Sequence, residues 1–488
     1  MSSEISRTHR QRLLAAGFLQ EATKGWLISS SPAAKEGDST PLYASFWEFC
    51  AKYCRERFGE SWHLSPEQSL LLLAENTVVP TQVVVYSPAA TNYLVNLVFG
   101  TSIYALAERE RPADTDLQDR EGLRLFNPAS ALVRVPEAFY ERNQIETQVV
   151  LRSINDSSDV LRILLNGGHS KKAGVLAGAF RRIGRPDIAD DIVKTMQKAT
   201  YDVRESDPFS PTQIVTKAPV PVIPIVSRLE TMWATLRASI IEQFPKAPGL
   251  PDNKEEYLRS VDEIYVHDAY HSLSIEGYSV SPQLIERVRE GTWDPENHDE
   301  DRKSRDALAA RGYWQAFQEV KKSVMKVISG DNAGDVVRMA HRDWYREMFQ
   351  PCVTAGLIPA GVLAGYRNDA VYLRTSRYVP PRWEVVRHAM PALFDLLRNE
   401  PEPSVRALLG HWQFGYIHPY PDENGRTARF LMNVMLASGG YPWTVITKED
   451  RNIYLKALDA ASIEMNVEPF VSFVSRLVDK SMKIATES

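Results

Sequence analysis

Twelve residues, HPYPDENGRTAR at 418–429, put one histidine, two adjacent acids, an Asn–Gly pair and two arginines three apart into one stretch. Upstream, VRALLGHWQFGYI has helical spacing, and Pro419 and Pro421 then stop the helix. Downstream, RTARFLMNVMLAS is helical again, so the stretch reads as a tight loop that ends at a helix N-terminus. The first N–H groups of a helix have no intrahelical partner and, with the helix dipole, attract anions and phosphates above all. Asn424–Gly425 is the pair most able to take left-handed angles, which predicts an anion nest of inward N–H groups. Arg426 and Arg429 face one side of the new helix, and arginine grips phosphate with a planar fork of donors. Asp422 is a hard oxygen ligand beside that nest, suited to Mg²⁺ bridging two phosphates. His418, at the loop entrance, is the group that titrates near neutral pH. It reads as the general base for an incoming hydroxyl, a role worth about 10²–10⁴ in rate. His411, alone in an aromatic-rich helix, is expected to be a core histidine. Each feature alone is ordinary turn or surface chemistry, but their fixed offsets in one loop are not.

The elements that must position this loop can be read outward from it. HDAYHSLSIEGYSVS, residues 267–281, continues a helix that begins near Glu255 and that Gly277 ends as a C-cap. Ser272 and Glu276 stand one turn apart on its face. AVYLRTSRYVPP, residues 370–381, has strand residues around RTSR and stops at a proline pair, so a small hairpin is expected. EGTWDPENHDEDRKSRD, residues 290–306, reads as a charged, solvated loop.

The chain of 488 residues is too long for one core, so two or three domains are expected. The cut falls at SDPFSPTQIVTKAPVPVIPIV, residues 206–226, where five prolines forbid helix. After it nearly everything is helical. Before it, KGWLIS, TQVVVYS, SIYALAE and LRLFN read as short strands, with DVLRILLNGG and KKAGVLAGAFRRIGRPDIADDIVKTMQKA as helices. A net charge of −5 gives no global bias toward nucleic acid or anionic membrane. Cys50 and Cys54 share one helix face with no zinc-site partners, so buried thiols and a reducing compartment are expected. No secretory signal or membrane span is read, which predicts a cytoplasmic protein.

The loop resembles the signature of Fic-domain (Fic/DOC) proteins, H-x-F-x-[DE]-x-N-G-R-x-x-R. It matches at His418, Asp422, Asn424, Gly425, Arg426 and Arg429, with Tyr420 where phenylalanine is usual and Glu423 where many members carry glycine or alanine. Members with an intact signature mostly transfer AMP from ATP to a hydroxyl of a target protein, and some also remove it. The resemblance implies that His418 deprotonates a Tyr, Ser or Thr hydroxyl and that Asp422 holds Mg²⁺ (or Mn²⁺). The run Asp422–Arg429, with Glu423, Thr427 and Ala428 in it, would line the ATP phosphates, Arg429 taking the terminal one. SLSIEG resembles the family's inhibitory motif at Ser272, Glu276 and Gly277, which implies that Glu276 pairs with Arg429 and blocks productive ATP binding. The same glutamate serves removal of AMP in relatives. The hairpin, around Thr375, Ser376, Arg377 and Tyr378, resembles the flap that docks the target by strand addition. GYRNDAV before it resembles the family's glycine–arginine lead-in. DRNIYLKALDAAS resembles the adenine-pocket helix, with Tyr454 at the nucleotide and Ser462 where some relatives carry asparagine.

RLLAAGFLQEATKGWLIS, with Arg7, Arg10, Arg12 and Lys24 nearby, resembles the winged-helix start of AbiEi-type antitoxins and regulators. The expected class is therefore mainly α: an all-helical Fic core with a small hairpin flap, after an α/β winged-helix-like region. The expected domains are a winged helix at 1–75, an α/β regulatory domain at 76–205, a linker at 206–226 and a Fic domain at 227–488. Within the last, the inhibitory helix is 255–277 and the catalytic core 335–488. The expected function is an autoinhibited protein adenylyltransferase whose partners are ATP and a target protein, with duplex DNA and a homodimer as further partners. Two other readings stay open: a DNA-binding regulator using the Fic core as a nucleotide sensor, and a Fic transferase or AMP-removing enzyme working on another nucleotide.

Overall fold

In the computed structural model, which describes residues 6–32, 37–108, 110–211, 213–217, 220–292 and 305–487, regular structure begins with α1 (Arg7–Ala15). Ser6 caps α1 by accepting the N–H of His9. The hairpin β1 (Leu19–Thr23) and β2 (Trp26–Ser29) turns at Gly25, whose φ of +82° suits glycine. α2 (Thr40–Phe58) buries Phe46, Cys50 and Cys54 on one stripe, so both thiols are core residues, as their spacing predicts.

The expected strands form. β3 (His63–Leu64), β4 (Gln82–Ser87), β5 (Tyr93–Asn96) and β6 (Ser102–Ala107) make one sheet in the order β3–β4–β6–β5. β4 and β6 run parallel, Gln82 opposite Ser102, and the outer pairs run antiparallel. Val83 and Val85 alternate inward with Ile103 and Ala105, the period-two burial that a sheet with one core face requires. α3 (Pro66–Leu73) precedes β4, and β7 (Leu117–Arg120) pairs with β8 (Leu123–Phe126). Six helices follow: α4 (Pro128–Arg134), α5 (Glu137–Arg142), α6 (Gln144–Ser153), α7 (Ser158–Gly167), α8 (Ser170–Arg182) and α9 (Pro186–Lys198).

Between α9 and Pro224 no helix or strand forms among the described residues, as the prolines require. α10 (Pro224–Gln243) opens on Pro224, where a missing N–H costs nothing. The chain divides into two compact units, one of 1–235 with 372–380, the other of 236–371 with 381–488.

The segment 370–381 corrects the expected hairpin. It holds a turn at Arg374–Thr375, where Thr375 takes φ +63°, but no strand ladder. Two adjacent prolines remove the N–H donors that a return strand would need. Its backbone pairs instead with Thr77–Val79: the Val79 N–H donates to the Arg377 carbonyl at 2.8 Å, and the Thr77 hydroxyl donates to the Val379 carbonyl. Tyr378 is buried there.

The second unit is helical: α11 (Lys254–Ile275), α12 (Pro282–Glu290), α13 (Arg305–Ile328), α14 (Ala333–Thr354), α15 (Trp383–Asn399), α16 (Pro403–Ile417), α17 (Asn424–Ala437), α18 (Arg451–Glu464) and α19 (Glu468–Glu487). The charged run 290–306 lies mostly outside the described residues. α13 and α14 pack as a long helical pair, and Gly312 lets the Met348 carbonyl approach where a Cβ would collide. α17 is buried all round, the mark of a central helix, and its polar residues Arg426, Arg429 and Asn433 are therefore committed to internal partners. Among the described residues no helix is long and apolar enough to cross a membrane.

Candidate active site

The signature loop joins α16 to α17, and two residues in left-handed backbone turn it: His418 at φ +51° and Glu423 at φ +68°. This corrects the expectation for Asn424–Gly425, which are instead the first two residues of α17. The reason is the Asn424 side chain. It accepts from the Tyr420 N–H and donates to the Tyr420 carbonyl, both at 2.9 Å, clamping the loop and leaving Glu423 to make the turn. Gly425 is special for space rather than for angle: a Cβ there would meet Glu276 Oε1, the far end of that side chain.

His418 caps α16, its N–H donating to the Phe414 carbonyl at 2.9 Å. Its Nδ1 faces the Gly415 carbonyl at 3.3 Å, which fixes the proton on Nδ1 and leaves Nε2 a free acceptor. Burial pushes its pKa down to about 4, against the pull of Gly415 and with the push of Arg367. The ring is neutral at physiological pH, the form a base needs. Asp422 accepts the Glu423 N–H at 2.8 Å, and burial raises its carboxyl against the pull of Arg426.

Arg429 is buried and fully engaged. Nε donates to the Ser272 hydroxyl at 2.9 Å, and Nη2 donates to the Ser272 carbonyl at 3.0 Å and to Glu276 Oε1 at 2.8 Å. Burial disfavours its charge, but the neighbouring Glu276 outweighs that and raises its pKa. Burial likewise raises the Glu276 carboxyl, and the charge and hydrogen bond of Arg429 bring it below the ordinary range. About a third of the Glu276 side chain (34%) stays accessible, so the pair can open without unpacking the helices. α11 delivers Glu276 through a Schellman turn: Gly277 takes φ +88°, its N–H donates to the Ser274 carbonyl, and the Tyr278 N–H donates to that of Leu273. Ser272 and Glu276 are thus brought together on Arg429, with Gly277 making the turn that places Glu276.

Thr427 and Ala428 lie buried within α17, and the Ala428 carbonyl accepts His411 Nδ1 at 2.9 Å. His411 Nε2 takes the hydroxyl of Tyr454 at 2.8 Å. Burial brings His411 down to about 3, so it is the neutral core histidine expected, bridging the signature helix to α18. Tyr454 is buried with its hydroxyl on that bridge, beside Arg429. Ser462 accepts from the Trp412 indole at 3.0 Å. Thr375, Ser376, Arg377 and Tyr378 belong to the other unit.

Sequence reasoning missed Tyr278, which faces Arg426. The Arg426 guanidinium carbon lies 4.9 Å from the Tyr278 ring centre, and Nη2 donates to its hydroxyl at 3.3 Å. An aromatic directly after the C-cap glycine was the available signal. The expected lead-in holds Arg367, whose donors reach the carbonyls of His418, Asp369 and Pro381. Among the described residues no three His, Cys, Asp or Glu side chains converge as a metal site. Asp422 fits Mg²⁺ only as a single carboxylate completed by phosphates and water, the usual arrangement for a nucleotide-bound ion.

Residues 335–436 match the Fic/DOC family. The chain is 28% identical over 252 residues to a protein adenylyltransferase Fic of Nematostella vectensis, covering 50% of this chain and 54% of that protein. It is 34% identical over 123 residues to one of Drosophila willistoni, 24% of each, and 24% identical over 419 residues to one of Culex quinquefasciatus, 80% of this chain and 78% of that one. The match thus spans about half the length of the first relative and a quarter of the second. Solved structures with partial overlap include Fic-1 of C. elegans, at 20% identity and TM-score 0.39 over 68% of this chain and 94% of that one. Another is a Fic-domain signalling protein of Bacteroides thetaiotaomicron, at 19% and 0.38 over 54% and 95%. The loop at 418–429, the buried helix behind it and the match over 335–436 together make this a chain with a Fic/DOC-family domain.

Proposed function

We propose that the chain is a protein adenylyltransferase that restrains itself, moving AMP from ATP to a Tyr, Ser or Thr hydroxyl of a target protein. The observation that carries this reading is the ion pair of Glu276 with Arg429 inside an anion cradle whose entrance holds a neutral His418. Relatives that share the domain bear the name protein adenylyltransferase, which supports it. The triphosphate would lie along the first N–H groups of α17, with Asn424, Gly425 and Arg426 at the inner phosphates and Arg429 at the terminal one. Asp422 would hold Mg²⁺ (or Mn²⁺), which supplies charge neutralisation of the leaving pyrophosphate. As the target oxygen bonds to the α-phosphorus, its proton passes to His418 Nε2 and the bond to the bridging oxygen breaks, releasing pyrophosphate. Residues 375–378 are the proposed docking edge for the target backbone.

The test is labelling with α-³²P-ATP and Mg²⁺, comparing wild type with Glu276→Gly. Strong labelling of the variant with weak labelling of wild type is expected, and labelling of neither would count against AMP transfer. A second reading concerns α1, which carries Arg7, Arg10 and Arg12 and buries no residue. If it contacts duplex DNA, a mobility shift should weaken with salt and vanish on deleting residues 1–30.

A further inference from the structure

The phosphate cradle holds a second carboxylate besides Glu276. Glu423 makes an ion pair with Arg426, and both side chains are almost wholly inaccessible, at 3% and 2%. Tyr278 closes over the pair: it accepts from Arg426 Nη2 at 3.3 Å and offers its hydroxyl to Glu423 Oε1 at 3.5 Å. Arg305 lies against the same ring at 5.3 Å. The pair is incompletely satisfied. Among the described residues, Arg426 Nε and Nη1 and Glu423 Oε2 are buried without a hydrogen bond. A buried guanidinium with two idle donors asks for an anion with more oxygens than one carboxylate supplies. Glu423 reaches Arg426 from a left-handed backbone, a conformation that favours glycine, so the local backbone does not favour the residue that stands there.

We propose that Glu423 is a second built-in occupant of the nucleotide site, seated on Arg426 and clamped by Tyr278, so that a nucleoside triphosphate must displace two carboxylates. Glu276 guards Arg429, and Glu423 guards Arg426. The two restraints meet through one turn, since the Schellman geometry at Gly277 that places Glu276 also returns Tyr278 over Arg426. Displacing Glu423 lets phosphate oxygens reach the idle donors, so a full triphosphate gains more at Arg426 than the carboxylate loses. This inference rests on the reading of the loop as a nucleotide-phosphate site.

The test is calorimetric titration of ATP with Mg²⁺ into the full chain, comparing wild type, E276Q, E423Q and the double variant. E423Q keeps the shape and removes the charge. It is expected to tighten ATP binding at least fivefold, E276Q likewise, and the double variant by about the product of the two. E423G is the second variant. Its backbone suits φ +68°, which offsets part of the cost of leaving Arg426 without its carboxylate, and it should also bind ATP more tightly. Unchanged or weaker binding in both E423Q and E423G, while E276Q binds more tightly, overturns the proposal and leaves the nucleotide site standing. Binding of ATP by none of the four overturns both. Y278F should reproduce part of the E423Q gain, since it removes the hydroxyl that links the two side chains.

Discussion

Arg367 holds His418 by its backbone rather than by its ring: the guanidinium Nε donates to the His418 carbonyl at 2.8 Å, and the Arg367 N–H donates to the Pro419 carbonyl at 2.9 Å. The same buried side chain reaches the carbonyls of Asp369 and Pro381, so one guanidinium fixes the left-handed turn that aims His418, the proposed base. Arg367→Ala would leave several buried carbonyls without donors. Its expected cost is about 3 kcal/mol of stability, read by urea unfolding. Arg367→Lys supplies fewer donors and should fall between. Labelling of the folded variants should show turnover lost with ATP affinity nearly kept. Loss of affinity in place of turnover would separate Arg367 from the aim of His418.

His418→Ala removes the acceptor for the target proton and nothing that touches the cradle. The expected result, in a Glu276→Gly background, is a fall of about 10²–10⁴ in labelling rate. ATP affinity by calorimetry should change less than about threefold, which is about 0.7 kcal/mol. Undiminished labelling would remove the histidine from the base role.

The buried histidines give a signed pH dependence. Burial brings His418 to about 4 and His411 to about 3, both below the value of about 6.5 expected for an unfolded chain. For the proposed activity, His418 is already neutral in the free protein, so kcat/KM should not fall from its titration between pH 8 and 5.5. Loss should set in only as pH approaches 4. For stability, the unfolded chain takes up protons that the fold refuses, so acid favours unfolding. Stability is present above about pH 6.5 and declines as pH drops toward the folded values, with His411 alone contributing up to about 1.4 kcal/mol per pH unit. Urea midpoints at pH 7 and pH 5 measure this, and His411→Gln, which replaces the titrating ring, should flatten the slope. An unchanged slope would mean that His411 is not neutral in the fold.

What could be read in the sequence was what local chemistry dictates. The helix end at Gly277, the serine and glutamate one turn apart, the helix restarting after two prolines and the four expected strands of the first unit stand where spacing put them, whereas β1, β3, β5 and β7 were not among the segments read as strands. The loop residues 418–429 were legible because their types and offsets repeat the signature of the family that residues 335–436 match. What was not legible depended on distant partners. Asn424 could have turned left-handed, and only the pairing of its amide with Tyr420 assigns that turn to Glu423. The segment 372–380 has strand composition, yet its partner is Thr77–Val79, some three hundred residues earlier, which periodicity cannot show. Arg426 and Arg305 each meet the Tyr278 ring through tertiary packing alone.

Gly425 offers a way to disturb the restraint without touching either partner of the ion pair. It sits in ordinary helical backbone, so alanine there costs the helix nothing. The obstacle is Glu276, whose Oε1 would lie inside contact distance of the new Cβ, with Arg429 Nη1 at 3.3 Å. Oε1 is the far end of a flexible side chain that is a third exposed, whereas Arg429 is held on three sides. The cheapest adjustment is for Glu276 to leave Arg429. Gly425→Ala should therefore make Glu276 energetically idle. In the wild-type background, Glu276→Gln should lower stability by about 1 kcal/mol, since glutamine still accepts from Arg429 but loses the charge that strengthens the bond. In the Gly425→Ala background the same change should cost only a few tenths. A double-mutant cycle by urea unfolding reads the difference directly. Additive effects would mean that Glu276 stays on Arg429 despite the methyl group, and that the close approach at Gly425 serves the nucleotide rather than the brake.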